Sequence, residues 1–547
     1  MTRSVRTARP RAGPLFVVVA AVLASAAVAG NPLGRINTRG TRQFWEFVSA
    51  SLRPETDGDF LALVWRESLV TLSYAVLGTA LAVVIGVVGA LLLTRRTWQR
   101  IDGSTMRTWW LARSLAVLPR SVHEAVFGLL LLNVLGLDPL VAVLAIGLPF
   151  GAITAKVFAD VLDDVEASAY TALRASGAGR LAALAYSSLA SARAEFVSYA
   201  FYRFECAIRS AAILGIVGAG GLGFQLQLSF TSLRYEEVWT LLWALVALDG
   251  AADAWSGWVR RRAPRTVAAD GETFGRASGR SPAVATAALV VPGIAAAWWW
   301  VDLSLSNLWS ERTRRQIGDL VTQLWPPSLR DGWWTIIEQS IDTVVLSVLA
   351  MVFAFVGGVV VALFASGAIG PRGWSGALVR TACRGFLLVT RAIPPPVWAI
   401  VALFVLLPGP WPGAVALGVY NLGVLGRLLA EAVENVSDGR ALALEAAGAT
   451  RLQAAGYSTL PAVAGRFVSL ALYRWEVTIR ETVVVGVVGA GGLGRALDEE
   501  LSAFAWAEVT SIIIALVVVA LVVDLASTRL RRAVSYTHLT LPTIYSV

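Results

Sequence analysis

The chain has 547 residues, of which 56% are hydrophobic and only 15% are charged. A soluble protein carries roughly a quarter charged residues, so this composition excludes an ordinary soluble enzyme and indicates a polytopic membrane protein. The net charge of +9 comes from arginines beside the apolar runs, which is typical of cytoplasmic loops rather than of a nucleic-acid surface. Two cysteines and two histidines, at scattered positions, favour neither a disulfide framework nor a metal or catalytic site.

Six apolar segments of helical length follow one another in the first half of the chain. Each is close to the ~20 residues that cross a bilayer, and we predict helices near 14–30, 68–94, 108–134, 140–160, 196–217 and 236–258. The first segment follows a charged leader without a clear cleavage signal, and we interpret it as a retained helix. The arginine clusters predict that the N-terminus and the loops at 95–107 and 161–195 lie in the cytoplasm.

The second half of the chain repeats the first. A shift of 271 residues places Tyr199–Gly223 on Leu470–Gly494, with 14 of 25 positions identical, which indicates an internal duplication. Six crossings return the chain to its starting side, so both halves run the same way up and both termini are cytoplasmic. We therefore predict an all-α polytopic membrane protein with about twelve helices in two parallel six-helix repeats.

The repeat also predicts the domain boundaries. They are a first half at 1–265 with a cytoplasmic loop at 161–195, a polar linker at 266–281, and a second half at 282–534 with the equivalent loop at 432–466. The last residues, 535–547, have no counterpart in the first half, and we interpret them as a non-native tail.

The string Val-Gly-Ala-Gly-Gly-Leu-Gly follows a long apolar segment in each half. It fits the glycine pattern of dinucleotide-binding folds, but that pattern must follow a strand in a βαβ unit, and here it follows a helical segment. We predict instead a tight turn or gate with close backbone approach, buried in protein because unpaired backbone is not tolerated in lipid. Its glycines are Gly218, Gly220, Gly221 and Gly223 in the first half and Gly489, Gly491, Gly492 and Gly494 in the second.

The lysine content excludes ATP hydrolysis by this chain. A P-loop needs a G-K-[ST] sequence so that a lysine can reach the phosphates. Lys156, in the string ITAKVFAD, is the only lysine. Any ATP is therefore used by a partner, and no cofactor is predicted on this chain.

Charged residues occur within the fifth apolar segment of each half, where ionisable groups are costly. Tyr202, Glu205 and Arg209 fall on one helical face, Arg203 points elsewhere, and Glu205 and Arg209 are i,i+4 neighbours that can neutralise one another. Two interpretations stay open: the pair locks the helix into the bundle, or the face lines a central pathway where tyrosine and arginine donors contact an oxyanion. The candidate pathway residues are Tyr202, Glu205 and Arg209 and their counterparts Tyr473, Glu476 and Arg480.

A smaller polar group lies at the start of the predicted core of the first half. It comprises Arg120, His123 and Glu124, and the equivalent positions hold Arg391, Pro394 and Pro395. Because only the arginine recurs, we interpret the histidine and glutamate as packing or gating groups rather than substrate ligands.

The string SYAFYRFECAIRSAAILGIVGAGGLGFQLQL, residues 198–228, closely resembles the phosphonate permease family of bacterial ABC importers. The string RAIPPPVWAI, residues 391–400, resembles the segment before the family's core, and the likeness covers nearly all of both halves. It implies the type I ABC importer transmembrane fold, with two permease halves in one chain and one such chain per transporter. The implied partners are two ATP-binding cassette subunits, which hold ATP and Mg in the cytoplasm, one extracytoplasmic substrate-binding protein, and the bacterial cytoplasmic membrane.

The resemblance also implies an ATPase-coupling element in the cytoplasmic loop of each half. The family's pattern E-A-A-x-x-x-G, with a later L-P, is matched by TALRASG and LALEAAG, but both lack the leading glutamate. The later proline is Pro461 in the second half and Ala190 in the first, and an ordinary cytoplasmic helical hairpin is the alternative. The implied coupling residues are Ala175, Gly177 and Arg180, and Ala446, Gly448 and Arg451.

These observations predict a permease subunit, itself no enzyme, that imports a phosphonate or a related phosphorus oxyanion by alternating access driven by separate ATPases. An alternative from another class is an ion-gradient-driven secondary transporter with two parallel six-helix halves. A third possibility is an ABC permease of the same fold for another small solute.

Overall fold

The computed structural model describes residues 12–31, 36–38, 40–98, 108–262, 282–330, 332–436 and 439–538. The predicted linker at 266–281 and residues 539–547 of the predicted tail lie outside the described residues. Within the described part the chain is helical, and its β-type pairing is one isolated bridge between Ile36 and Leu406.

Helices of membrane length alternate with short helices along residues 12–262. A π-helical turn at Ala185–Leu189 precedes α11, and another at Gly215–Ala219 follows it. In chain order the helices are α1 (Ala12–Ala29), α2 (Thr41–Ala50), α3 (Gly58–Leu93), α4 (Arg95–Trp98), α5 (Thr108–Leu115), α6 (Val117–Ser121), α7 (Glu124–Leu135), α8 (Pro139–Asp164), α9 (Ser168–Ala175), α10 (Arg180–Leu184), α11 (Ala190–Leu214), α12 (Gly221–Thr231) and α13 (Tyr235–Arg262).

A closely related order recurs along residues 282–538. The equivalent π-helical turns are Ala455–Thr459 and Gly486–Ala490. The helices are α14 (Pro282–Trp300), α15 (Glu311–Gln323), α16 (Gly332–Ala365), α17 (Gly373–Ala392), α18 (Pro395–Val405), α19 (Pro410–Glu434), α20 (Gly439–Ala446), α21 (Arg451–Ala454), α22 (Leu460–Val485), α23 (Gly492–Ser502) and α24 (Trp506–His538).

Among the described residues, 6 helices are long and apolar enough to cross a membrane unaided. A further 4 pairs of consecutive helices pass the same test together and are bent by more than 40° at a short break. Two of these bent pairs are α5–α6 with α7 and α17 with α18, and the other two contain the glycine runs. The sequence therefore encodes spans that are interrupted at matching places in both halves.

Two predicted helices differ from those observed. The helix predicted from 68 begins at Gly58, because Asp57 caps it by accepting hydrogen bonds from the backbone N–H groups of Asp59 and Phe60. Polar residues interrupt the apolar run in its first turns, so the run of apolar residues in the sequence does not reveal where the helix begins.

The single helix predicted at 108–134 is broken and bends by 78° at Val122–His123. Val122 has an extended backbone, and the Nδ1 atom of His123 accepts a hydrogen bond from the Ala125 N–H at 3.2 Å, which caps α7. In the second half the matching 93° bend between α17 and α18 carries prolines at the break itself, whereas in the first half the nearest proline is Pro119 within α6.

The described helices form two compact units. The continuous unit is Phe47–Thr322, and the split unit combines Met1–Glu46 with Gln323–Val547. In the continuous unit α14 packs against α3 and α13, and Ala297 and Leu303 enter the same apolar core as Tyr74 and Ile146.

In the split unit α1 packs against α16 and α24. The chain after α1 is held there as well, because Trp411 Nε1 donates to the Ala29 carbonyl at 3.1 Å and Asn37 N donates to the Val405 carbonyl at 2.7 Å. The predicted boundaries follow the order of the duplicated segments, whereas the units show which helices pack together. The predicted halves and the observed units therefore differ in where they place α1 and α14, the first helix of each half.

Candidate functional site

The glycine run ends α11 and starts α12 at a bend of 54°. Gly218, Gly220 and Gly221 have φ of +119°, +94° and +74°, values that a side chain disfavours. Gly223 allows the backbone to come close, because a Cβ there would lie 1.9 Å from the Ala212 carbonyl oxygen. The turn and the close approach are those expected from the sequence.

The second copy repeats this geometry at a bend of 64° between α22 and α23. Gly489, Gly491 and Gly492 have φ of +94°, +90° and +70°. A Cβ at Gly494 would lie 2.6 Å from the Val483 carbonyl oxygen. Glycine is therefore required for the same geometric reason in both halves.

A threonine on the second span holds each glycine turn. Thr71 Oγ1 donates to the Glu67 carbonyl on α3 and accepts from the backbone N–H of Leu222 on α12, at 2.9 Å each. Thr343 on α16 makes the equivalent bond to the N–H of Leu493, also at 2.9 Å. Each hydroxyl thus accepts a hydrogen bond from one of the N–H groups that have no partner within their own helix, at the start of a helix that begins inside a span.

In the continuous unit a buried ionic triad joins α11 to α13. Arg209 Nη2 lies 3.1 Å from Glu205 Oε1, so the predicted i,i+4 pair is formed. Arg209 Nε lies 3.4 Å from Asp249 Oδ1, and the three side chains are no more than 9% exposed. Tyr202, predicted to share this face, is 37% exposed.

Arg203 occupies a different, aromatic environment on α11. Its Nε donates to the Tyr199 hydroxyl at 2.8 Å, and its guanidinium lies 5.0 Å from the ring centres of Phe150 and Tyr199 and 5.6 Å from that of Tyr202. Cation–π contact and the phenol oxygen stabilise the charge at this buried position. These contacts differ from those of Arg209, which pairs with Glu205 and Asp249.

A carboxylate also joins α7 to α11. Ser210 Oγ donates to Glu124 Oε1 at 2.5 Å, and both residues are buried. His123 Nδ1 lies 3.5 Å from the other oxygen of Glu124. The structure therefore places this pair in a helix–helix contact beside the broken third span, consistent with packing or gating.

In the split unit the polar layer is built differently. Arg474 donates to Asn421 Oδ1 and Glu481 Oε1 at 2.7 Å each, and Asn421 Nδ2 donates to Glu481 Oε2 at 3.2 Å. All three residues are buried, and the network joins α19 to α22.

The second predicted Glu–Arg pair has other contacts. Glu476 Oε1 lies 2.5 Å from Arg531 Nη1 on α24, and Arg480 Nε donates to the backbone carbonyl of Glu476 at 3.2 Å. The position equivalent to Asp249 holds Ala520, so the carboxylate that completes the first triad is not repeated on α24.

The cytoplasmic loop of the first half is a short helical hairpin. Ala175 ends α9, Gly177 turns the chain at φ +92°, and α10 follows. Arg180 Nη1 donates to the Thr97 carbonyl at 3.4 Å, which ties the hairpin to α4, just after the second span. Tyr186 is 81% exposed beside it.

The buried Arg96 contacts this hairpin near both of its ends. Arg96 donates to the Val165 carbonyl and to Ser188, and the Tyr170 hydroxyl donates to the Arg96 carbonyl at 2.8 Å. Burial lowers the pKa of the Arg96 guanidinium from its ordinary value, although so basic a group stays charged at neutral pH.

The hairpin of the second half has the same form. Ala446 ends α20, Gly448 has φ +94°, and the Arg451 guanidinium donates to the Gly367 and Gly370 carbonyls. Leu181 and Leu452 are 61% and 68% exposed, and Tyr457 is 81% exposed like Tyr186. The predicted coupling arginines therefore anchor each hairpin. The exposed leucine and tyrosine that each hairpin presents were not among the predicted coupling residues.

The chain is similar to known transport proteins. Residues 358–536 match the model of the binding-protein-dependent transport system inner membrane component family. The chain is 25% identical over 454 residues to a phosphate-import permease protein PhnE of Mycolicibacterium smegmatis, covering 83% of this chain and 82% of the relative. It is also 33% identical over 216 residues to a phosphite transport system permease protein PtxC of Stutzerimonas stutzeri, covering 40% of this chain and 77% of the relative.

The chain belongs to this family of inner-membrane transport components. The permease has the all-α, type I ABC importer transmembrane fold that the resemblance implied, and it is a multi-pass protein of the inner membrane. As a permease subunit it belongs to a family whose members lack an ATPase site of their own. A solved inward-facing structure of the MetNI methionine ABC transporter is similar to 37% of this chain and 96% of its own, with 20% identity and a TM-score of 0.33.

The partners that come from distant elements of the permease are not evident from its sequence. Asp249, Arg531 and Asn421 lie on other helices than the residues they bind. A charged residue inside the sixth apolar segment was the available signal for Asp249, because such a group must find a partner in the bundle.

Proposed function

We propose that the permease imports phosphonate or a related phosphorus oxyanion, such as phosphate or phosphite, by alternating access powered by separate ATPase subunits. The observation that carries this proposal is the similarity along 83% of the chain, and hence across both halves, to a phosphate-import permease. The relative named as a phosphite permease supports the same class of anion. Membership of a binding-protein-dependent family favours this mechanism over an ion-gradient-driven secondary transporter.

The proposed assembly has two ATP-binding cassette subunits, one extracytoplasmic substrate-binding protein and one fused chain, with both termini in the cytoplasm. The two hairpins support the number of ATPases, because each presents an exposed leucine and tyrosine on a backbone held by an arginine. Exposed apolar residues on a fixed hairpin suit docking to a soluble partner. Gly177 and Gly448 give both hairpins the same turn.

The candidate pathway residues divide into two groups. Tyr202 and Tyr473 are 37% and 44% exposed and are proposed to offer hydroxyl groups to a passing anion. Glu205 and Arg209 are buried with Asp249 in the same unit, which favours the locking interpretation for that arginine. Arg480 is half-buried and is the member of the predicted arginine pair better placed for a role in the path.

The glycine turns are proposed to act as gates in this cycle. Each is a bend inside a span, fixed by one threonine hydroxyl and by the absence of side chains. A change of angle at such a break would move α12 or α23 with few other bonds broken.

Uptake by the complete transporter tests the proposal. The permease is reconstituted in proteoliposomes with its ATPase and binding protein, and accumulation of labelled phosphate, phosphite and methylphosphonate is measured with ATP on the cytoplasmic side. We expect saturable uptake of at least one of these anions, which vanadate abolishes. A non-hydrolysable ATP analogue is the matched control.

Two results would contradict different parts of the proposal. Accumulation driven by an ion gradient without the ATPase would refute the mechanism. Vanadate-sensitive uptake of another solute, with none of the three anions carried, would refute the cargo and leave the mechanism standing.

A further inference from the structure

Helix α23, which follows the second glycine turn, has two opposite faces. Leu493, Leu497 and Leu501 are at most 4% exposed, and the helix packs on α16 and α24. On the other side Arg495 and Glu499 are 57% and 58% exposed and lie 2.7 Å apart at i,i+4. We call Arg495, Glu499 and the exposed Ser502 the polar stripe of α23.

The equivalent helix in the first half, α12, has the same pattern of exposed positions, so this pattern is common to both halves of the fold. α12 leaves the same three positions exposed, but there they hold Phe224, Leu228 and Thr231. Phe224 and Leu228 are 42% and 52% exposed. Helices α12 and α23 thus expose equivalent positions, but the exposed side chains are mostly apolar in α12 and polar or charged in α23.

The polar stripe begins at membrane depth and ends near the membrane–water interface, because Glu500 lies beside Arg330 and Gly332 at the start of α16. The N–H of Leu493 is bonded to Thr343, which is nine residues, or about 14 Å, along α16 from Trp334. Trp334 is 81% exposed beside Trp333, and such tryptophans are typical of the membrane–water interface. Arg495 follows Leu493 by two residues, so its guanidinium starts well below that interface.

At the depth of Arg495 a half-exposed guanidinium is costly against acyl chains, even when it is paired with Glu499. Charged side chains within spans face protein or a water-filled path, and neither residue of this pair is covered by the described part of the chain. A guanidinium suits the oxygens of a phosphorus oxyanion, and a neighbouring carboxylate keeps the contact weak enough for release.

We propose that the polar stripe of α23 lines the water-filled path of the permease and that Arg495 contacts the passing anion. This inference rests on the proposed function for the identity of the anion. Arg495 then meets the cargo on the outer side of the glycine turn, in addition to any contact at Arg480, and its contact has no counterpart in the first half, where Phe224 stands.

Cysteine labelling in the assembled transporter tests the placement. Glu499→Cys and Ser502→Cys are made with Cys206→Ser and Cys383→Ser, and the rate of reaction with a charged, membrane-impermeant methanethiosulfonate is measured. Val518→Cys on α24, which replaces a 52% exposed side chain, is the lipid-facing control. We expect both stripe positions to react at least tenfold faster than position 518, and equal rates would overturn the placement.

Protection by the cargo tests the contact. Phosphite in excess should slow labelling of Glu499→Cys at least threefold, and adding Arg495→Gln should remove that protection while assembly with the ATPase is retained. Fast labelling that phosphite does not slow, in a transporter shown to carry phosphite, would overturn the role of Arg495. If the parent transporter carries no phosphorus oxyanion, the proposed function fails, whereas the labelling rates still decide whether the stripe faces water.

Discussion

The hydroxyl of Thr71 accepts a hydrogen bond from the backbone N–H of Leu222 at 2.9 Å, although 151 residues separate the two. The bond fixes the start of α12 against the side of α3, inside the membrane. Thr343 and Leu493 form the same bond in the second half. Because α12 and α23 begin within a span, where water cannot satisfy their first N–H groups, a side chain from a neighbouring helix has to do so.

Removal of these hydroxyls should destabilise the permease. Thr71→Ala or Thr343→Ala leaves a buried N–H unpaired and should cost about 1–2 kcal/mol each, whereas Thr→Ser at either position keeps the bond and should cost less. Thermal unfolding of the purified protein in detergent measures the effect. Equal melting temperatures for the alanine and serine variants would show that the hydroxyl contributes nothing.

The two close-approach glycines should tolerate alanine poorly and to different degrees. Gly223→Ala brings a methyl group to 1.9 Å from a carbonyl oxygen and should cost more than about 3 kcal/mol, and Gly494→Ala, at 2.6 Å, should cost less. Gly385→Ala on α17 is the control, because nothing lies within 4 Å and the helix should gain about 0.5–1 kcal/mol. Folded yield and melting temperature rank the stability of the three variants. A smaller loss of stability for Gly223→Ala than for Gly494→Ala would contradict the prediction.

The Glu205–Arg209–Asp249 triad should behave as a buried charge network. Arg209→Ala leaves two buried carboxylates without their shared cation and should cost about 3–5 kcal/mol. Arg480→Ala, at a half-buried site, should cost clearly less. Melting temperature and complex assembly measure both.

A neutral version of the triad separates locking from transport. Glu205→Gln, Arg209→Met and Asp249→Asn together remove the charges and should restore most of the stability lost in Arg209→Ala. If the triad only locks α11 to α13, uptake returns with stability. Restored assembly without uptake would assign Arg209 to the path.

The exposed tyrosines of the two hairpins should matter for coupling and little for folding. Tyr186→Ala and Tyr457→Ala replace side chains that are 81% exposed, so the melting temperature should change by no more than about 2 °C. We expect at least a threefold loss of ATP-driven uptake and weaker co-purification of the ATPase. Leu137→Ala, at an 84% exposed site in the turn between α7 and α8, is the control, and an equal loss there would contradict the assignment.

Local features of the site could be predicted because their cause lies within a few residues of sequence. The glycine turns follow from the positive φ that glycine tolerates, and the Glu205–Arg209 pair follows from helical spacing. The contacts of Glu476 and Arg474 in the split unit could not be predicted in the same way. Glu476 pairs with Arg531, and Arg474 with Asn421, across helices that meet only after folding.

The sequence by itself determined that this protein is a duplicated membrane permease, because composition, repeat and motif are written in residue order. It also determined where most spans break, through glycine and proline. Only the tertiary structure decided which helices complete each unit, and it placed α1 with α16 and α24 and α14 with α3 and α13. The physical reason is that apolar helices such as α1 and α14 have no strong sidedness of their own, so the surface that buries them best selects their place.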